Sequence, residues 1–144
     1  MKADEIIFEI RAFNRFYVDL LGLLKAGGYH SSYTLAETRV LFEINEAQNL
    51  QASQIIRTIQ IDKSYLSRIL KRLEKDSLIN RKRSDHDARS VILSITERGR
   101  SEIEKINLAA STLVRTQIEQ LNGDDREKLV QHMKAIVQLL RHHS

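Results

Sequence analysis

The stretch from Ile61 to Thr96, IDKSYLSRILKRLEKDSLINRKRSDHDARSVILSIT, allows few folds. Its first part has a helical period and two unlike faces. Leu66, Ile69, Leu70 and Leu73 fall at i, i+3, i+4 and i+7, which is one buried stripe. Ser64, Arg68, Lys71 and Lys75 fall on another side and leave hydroxyls and cations there. The period then changes to two. Leu78-Ile79-Asn80-Arg81 opens one strand, Val91, Leu93 and Ile95 alternate with Ile92 and Ser94 in a second, and Ser84 to Ser90 is a polar loop. A two-faced helix over 62–75, followed by a hairpin carrying Arg81, Lys82, Arg83 and Arg89, suits a DNA major groove and its flanking backbone.

Charge sharpens this reading. Between Asp62 and Ser90 stand nine Lys or Arg and five Asp or Glu, while the other residues hold 14 of each sign. The whole net charge of +4 therefore sits in 29 of the 144 residues, a concentration that a solvated helix face rarely reaches by chance. A pI near 9.5 permits nucleic-acid binding without showing it.

Around this stretch the chain reads as helix. Pro is absent and Gly numbers five, so long uninterrupted helices are expected. Ile6, Ile10, Phe13, Tyr17, Leu20 and Leu24 repeat at helical spacing over 3–25, and Ile7, Phe16, Leu21 and Leu23 widen the stripe. That is more apolar than a one-sided surface helix needs, which predicts burial on two sides, one of them a partner subunit. Gly27 and Gly28 should stop the helix. Thr34-Leu-Ala-Glu37 is a capping box opening a helix over 35–47 that buries Leu35, Val40, Leu41 and Ile44. A short helix at about 52–58 follows, with Ala52, Ile55 and Ile56 inward, and Asp62 caps the helix after it. Two helices, a tight turn and a basic second helix make a helix-turn-helix. With the hairpin as a wing it is a winged helix. Thr96 opens a helix over 97–121, with Ile103, Ile106, Ala110, Leu113, Gln117 and Leu121 inward, and Asp124-Asp-Arg-Glu127 is a second capping box for 125–141. The surplus apolar surface of the terminal helices predicts an isologous homodimer.

Several function classes drop out. Without cysteine there is no disulfide, no Cys-ligated zinc and no thiol redox switch. No run approaches the roughly 20 apolar residues of a membrane span, and MKADEIIFEI lacks a signal-peptide pattern, so a cytoplasmic protein is expected. No Ser/His/Asp, Cys/His or paired-carboxylate arrangement points to catalysis, so no enzyme and no cofactor are expected. His132, His142 and His143 are the only candidates for a metal; surface histidines are far more often solvated, and no metal site is expected.

The run Asp62-Lys-Ser-Tyr-Leu-Ser-Arg-Ile-Leu, then Leu78-Ile79-x-Arg81, then Asp87-x-Arg89 followed by Leu93-Ser-Ile-Thr96-Glu-x-Gly99, resembles the MarR family of winged-helix transcriptional regulators. The helix order matches along essentially the whole chain. A narrower resemblance, in Ile10-Arg-Ala-Phe-Asn-Arg-Phe-Tyr17, Gly22-Leu-Leu24 and Tyr33 to Ile44, is to the regulator half of proteins that fuse a MarR-type domain to a GNAT acetyltransferase. No acetyl-CoA pyrophosphate loop is present, which leaves a stand-alone relative or a piece of such a fusion. Ser77 stands where many relatives place Gly, and Gln60 likewise replaces a turn Gly. If the Ser77 site is left-handed, Ser costs about 1 kcal/mol there relative to Gly.

The resemblance implies one MarR-type domain over 1–144: mainly α, with dimerisation helices at 3–25 and 100–141 around a winged helix-turn-helix at about 34–98. Ser64, Tyr65, Ser67 and Arg68 are the residues expected at base edges, although Tyr65 can instead pack inward beside Leu66 and Ile69. Lys63, Lys71 and Ser53 are expected on phosphates. Arg89 enters or skirts the minor groove, and Asp87 orients a nearby Arg. Arg81, Lys82 and Arg83 either reach DNA or form a solvated strand. The implied function is a dimeric, sequence-specific regulator that binds a pseudo-palindromic duplex. The family's usual small aromatic or anionic ligand would lie among Phe13, Phe16, Tyr17, Tyr29, His30 and Tyr33, with Phe13 and Tyr17 as plain core the competing reading.

Overall fold

In the computed structural model the apolar stripe of the basic helix becomes the centre of a core. Residues 1–22, 31–87 and 89–141 are described. In chain order the elements are α1 (Ala3–Leu21), α2 (Leu35–Glu46), β1 (Leu50–Gln51), α3 (Ala52–Ile59), α4 (Lys63–Lys75), β2 (Ile79–Arg83), β3 (Val91–Ile95), α5 (Glu97–Ile118) and α6 (Gly123–Arg141). Two compact units, 1–109 and 110–144, divide within α5.

In the first unit Leu66, Ile69, Leu70 and Leu73 of α4 pack with Val40, Leu41 and Ile44 of α2, Ile55 of α3, and Leu78, Ile79 and Leu93 of the sheet. Ile103 of α5 joins them. All four predicted α4 positions are buried, because a heptad-like stripe leaves one face nowhere else to go. Among the residues expected to be buried by α2, Leu35 at its first position is instead 51% exposed.

Local chemistry fixes the helix starts. The Thr34 hydroxyl accepts from the Glu37 amide at 3.1 Å and the Glu37 carboxylate accepts from the Thr34 amide at 3.0 Å, the expected reciprocal box. The Asp62 carboxylate accepts from the Tyr65 amide at 3.0 Å and caps α4. At the other end of α1, the stop differs from expectation. Gly22 is left-handed at φ 67° and its amide bonds the Asp19 carbonyl, so the helix ends four residues before the predicted Leu24–Lys25 limit. Gly27 and Gly28, expected to stop it, lie outside the described residues.

The sheet has the order β1-β3-β2, antiparallel throughout, with Arg81 opposite Leu93 and Lys82 opposite Ile92. β1 adds a strand the sequence did not announce: Leu50 pairs with Leu93. Two residues are too few for alternation to register. Three non-glycine residues have positive φ, Asn49 at 58°, Gln60 at 51° and Ser77 at 61°. Ser77 and Gln60 thus do occupy left-handed sites, the conformation that glycine adopts most easily. Gly99 does the converse. A Cβ there would collide with the Leu78 carbonyl oxygen and sit 2.7 Å from Ile95 Cγ1, so α5 starts hard against the entry to β2. Thr96 completes that junction, its hydroxyl donating to the Ser77 carbonyl at 2.7 Å and accepting from the Gly99 amide at 3.0 Å.

In the second unit α6 is capped by Asn122, whose Oδ1 accepts from the Asp125 amide at 2.8 Å. The expected Asp124–Glu127 box does not form. The helix begins two residues earlier, at Gly123, and this makes Asp125 the residue that the cap reaches. Arg126 turns back to the last carbonyls of α5, with Nε 3.1 Å from the Ile118 oxygen. No residue of α6 is buried, and Val130, Met133, Ile136 and Val137 stand at 38–49% exposure. α1 likewise buries no residue, leaving Ile6, Ile7, Phe8, Ile10, Phe13 and Phe16 exposed. Among the described residues no helix is long and apolar enough to cross a membrane.

Candidate nucleic-acid interface

The face of α4 turned from the core carries Lys63, Ser64, Ser67, Arg68 and Lys71, which together line one shallow groove. They come together because α4 buries one stripe and its N-cap, Asp62, aligns the first turn. Ser64 is exposed and Ser67 half-buried at the groove floor. Tyr65 is 39% exposed, so it does not pack inward; Leu66 and Ile69 fill the core without it. The Arg68 guanidinium lies 5.6 Å from the centre of the Tyr65 ring. That stacking favours one orientation of the guanidinium fork. Ser53 is exposed in the first turn of α3.

The charges separate into two groups. Among the described residues no carboxylate pairs with Lys63, Arg68, Lys71, Lys82, Arg83 or Arg89, so their charge is open to solvent or phosphate. Two other cations of the segment are engaged internally. Arg72 Nη1 is 2.7 Å from Glu37 Oε1, and Arg81 Nε is 3.4 Å from Glu74 Oε2. The sequence count treated all nine as equivalent; partners 35 and 7 residues away, invisible to a count, remove these two.

The hairpin tip is built on its main chain. The Asp87 Oδ1 accepts from the Arg89 amide at 3.0 Å, and Ser90 Oγ donates to Oδ2 at 3.3 Å. Asp87 therefore holds the Arg89 backbone, not a guanidinium, and the Arg89 side chain is exposed. Ser84 closes the loop through its amide on the Ser90 carbonyl at 2.9 Å.

The aromatic residues expected around a ligand separate as well. Phe13 and Tyr17 stack with ring centres 5.6 Å apart on α1, and Phe16 is 61% exposed beside them. Tyr33 is instead 7% exposed within the core. Its hydroxyl donates to Asp76 Oδ2 at 2.8 Å, and Arg72 lies over its ring at 5.0 Å. Burial, with Asp76 adding to it, pushes the Tyr33 hydroxyl up from 10.0 to about 12, so it stays a neutral donor. Tyr29 and His30 lie outside the described residues, as do His142 and His143. Among the described residues no three His, Asp or Glu gather as a metal set.

Residues 33–91 match the family model described as the MarR family. The organic hydroperoxide resistance transcriptional regulator of Bacillus subtilis is 30% identical over 95 residues, covering 66% of this chain and 63% of that protein. The transcriptional regulator SarZ of Staphylococcus epidermidis is 32% identical over 88 residues, 59% of this chain and 60% of its own. The chain thus spans less than two thirds of the length of these relatives. Among solved structures, Streptococcus pneumoniae FabT in complex with DNA superposes with a TM-score of 0.74 at 17% identity, covering 99% of this chain and 100% of FabT. A probable transcriptional regulator from Pseudomonas aeruginosa gives 0.67 at 26% identity, covering 92% and 97%.

Proposed function

Because residues 33–91 match the MarR family, we propose that the chain is a cytoplasmic, dimeric, sequence-specific DNA-binding transcriptional regulator of that kind, whose occupancy of DNA responds to a small aromatic or anionic ligand. The observation that carries this is the groove face of α4: two serines and three cations without an internal ion pair, beside a hairpin whose Arg83 and Arg89 are also open. α4 would lie in the major groove with Ser64, Tyr65, Ser67 and Arg68 at base edges. Lys63, Lys71, Ser53 and Arg83 would hold phosphates, and Arg89 would follow the minor groove. Relatives named as transcriptional regulators, and a DNA-bound structure of the same fold, support the reading.

The dimer rests on apolar surface. The exposed faces of α1 and α6 are larger than an isolated chain in water keeps at no cost. A second copy covering both would place two α4 helices about one DNA turn apart, roughly 34 Å, and call for a pseudo-palindromic operator. The ligand would sit against the exposed Phe13–Phe16 side of α1. The Bacillus subtilis relative is named for organic hydroperoxide resistance; these 144 residues hold no cysteine, so no thiol among them can sense an oxidant.

The test is the salt dependence of duplex affinity. Binding that falls steeply and linearly in log–log form between 50 and 200 mM salt, as about 0.9 per phosphate neutralised, is expected. Affinity independent of salt would instead favour a winged-helix module that docks on protein.

A further inference from the structure

Resting on the DNA-binding reading, we infer that Arg72, Glu37 and Tyr33 form a cross-tie that sets the rotation of α4 about its own axis. In that role they determine the sequence specificity of the groove face without touching DNA.

Three constraints meet on one planar guanidinium. Arg72 Nη1 bonds Glu37 Oε1 at 2.7 Å, Nη2 bonds the Ser32 carbonyl at 3.1 Å, and the plane lies over the Tyr33 ring at 5.0 Å. One turn on, Asp76 at the end of α4 accepts the Tyr33 hydroxyl at 2.8 Å. The last turn of α4 is thereby fastened at two points to residues 32–37, which lead into and open α2. The same Glu37 oxygen also accepts the Thr34 amide of the α2 cap.

Holding the elements together does not require this chemistry. The Glu37 side chain is 6% exposed, and desolvating a carboxylate is costly; a packed apolar pair would hold α2 on α4 at least as firmly. A fork with two fixed acceptors and a stacked face supplies direction instead, because each bond weakens steeply as its angle departs from linear. Direction matters at this place. Side chains project to about 5–6 Å from a helix axis, so a 20° rotation of α4 moves Ser64, Ser67 or Arg68 by about 2 Å. That displacement breaks a base-edge hydrogen bond but leaves loose phosphate contacts intact.

The cross-tie and a phosphate contact by Arg72 make opposite predictions, and the full chain tests them. Affinity is measured for a duplex selected from a random library and for a scrambled duplex of equal composition, each across a salt series. Glu37→Gln removes a negative charge, so simple electrostatics would tighten both complexes. The cross-tie predicts about a tenfold loss on the selected duplex, the worth of one base contact, and no loss on the scrambled one. Arg72→Lys, which keeps the charge, should lose the same discrimination with an unchanged salt slope. Tyr33→Phe, which removes one hydroxyl and can be confirmed folded by its melting transition, should lose discrimination by a few-fold. Selected-to-scrambled ratios equal to wild type in Glu37→Gln and Tyr33→Phe would overturn the cross-tie. So would an Arg72→Gln variant whose salt slope falls by about 0.9 per subunit with both affinities dropping together, since that marks a phosphate contact. A wild-type protein that shows no salt-dependent duplex binding would defeat the DNA reading itself, and the cross-tie with it.

Discussion

Ser77→Gly should make this protein more stable. Ser77 sits at φ 61° just after α4, where a Cβ costs roughly 1–2 kcal/mol relative to glycine. The side chain offers no compensation: it is exposed, and its hydroxyl takes part in no hydrogen bond among the described residues. The bonds that matter at this residue are main-chain ones, its amide to the Glu74 carbonyl at 3.0 Å and its carbonyl receiving the Thr96 hydroxyl at 2.7 Å. Both survive the substitution. Against the gain stands the larger backbone entropy of Gly in the unfolded chain, about 0.4–1 kcal/mol. The net is between about 0 and 1.6 kcal/mol of stabilisation, centred near 0.8, or roughly 2–3 °C in Tm at this chain length. The assay is urea unfolding of both proteins at one protein concentration, since subunit association would otherwise shift the midpoint. A lower midpoint for the glycine variant, with unchanged m, would refute the assignment of strain to this site.

Other expectations follow from the same geometry. Gly99→Ala forces a Cβ onto the Leu78 carbonyl, and because that neighbour is backbone the loss should be about 1–3 kcal/mol despite alanine's better helix propensity, read by the same unfolding assay. Arg68→Ala should change which bases are preferred, whereas Arg89→Ala should weaken all duplexes alike and lower the salt slope by about 0.9 per subunit, both read by gel shift. Tyr33 should ionise late. Its neutral form is held by burial and by Asp76, so its contribution to stability is complete below pH 10 and is lost as pH rises toward 12. The stability difference between wild type and Tyr33→Phe should shrink over that interval and stay constant from pH 7 to 9.

How much of this was legible in the sequence depended on the range of the interaction. The stripe Leu66–Ile69–Leu70–Leu73, the Asp62 cap and the Thr34–Glu37 box were readable because each is decided within one or two helical turns. The wing was readable because its alternation and basic loop are local too. β1 was not, since only its partner β3 makes Leu50–Gln51 a strand. The α6 start was misplaced by a choice between two good caps; Asn122, with an amide three residues on, was the available signal. Arg81 and Tyr33 were assigned from residue type and Arg72 was only counted as a charge; their true places depend on Glu74, Asp76 and Glu37, set by how α2, α4 and the sheet pack. Within the site, the groove residues of α4 were found from periodicity, whereas the residues that orient them were not.

The most direct test of the central claim is selection of bound sequences from a random duplex library by the wild-type protein. Two half-sites related by a dyad, with centres about 10 base pairs apart, are predicted from a dimer that sets two α4 helices in successive major grooves. No enrichment, or enrichment of a single asymmetric half-site, would contradict it.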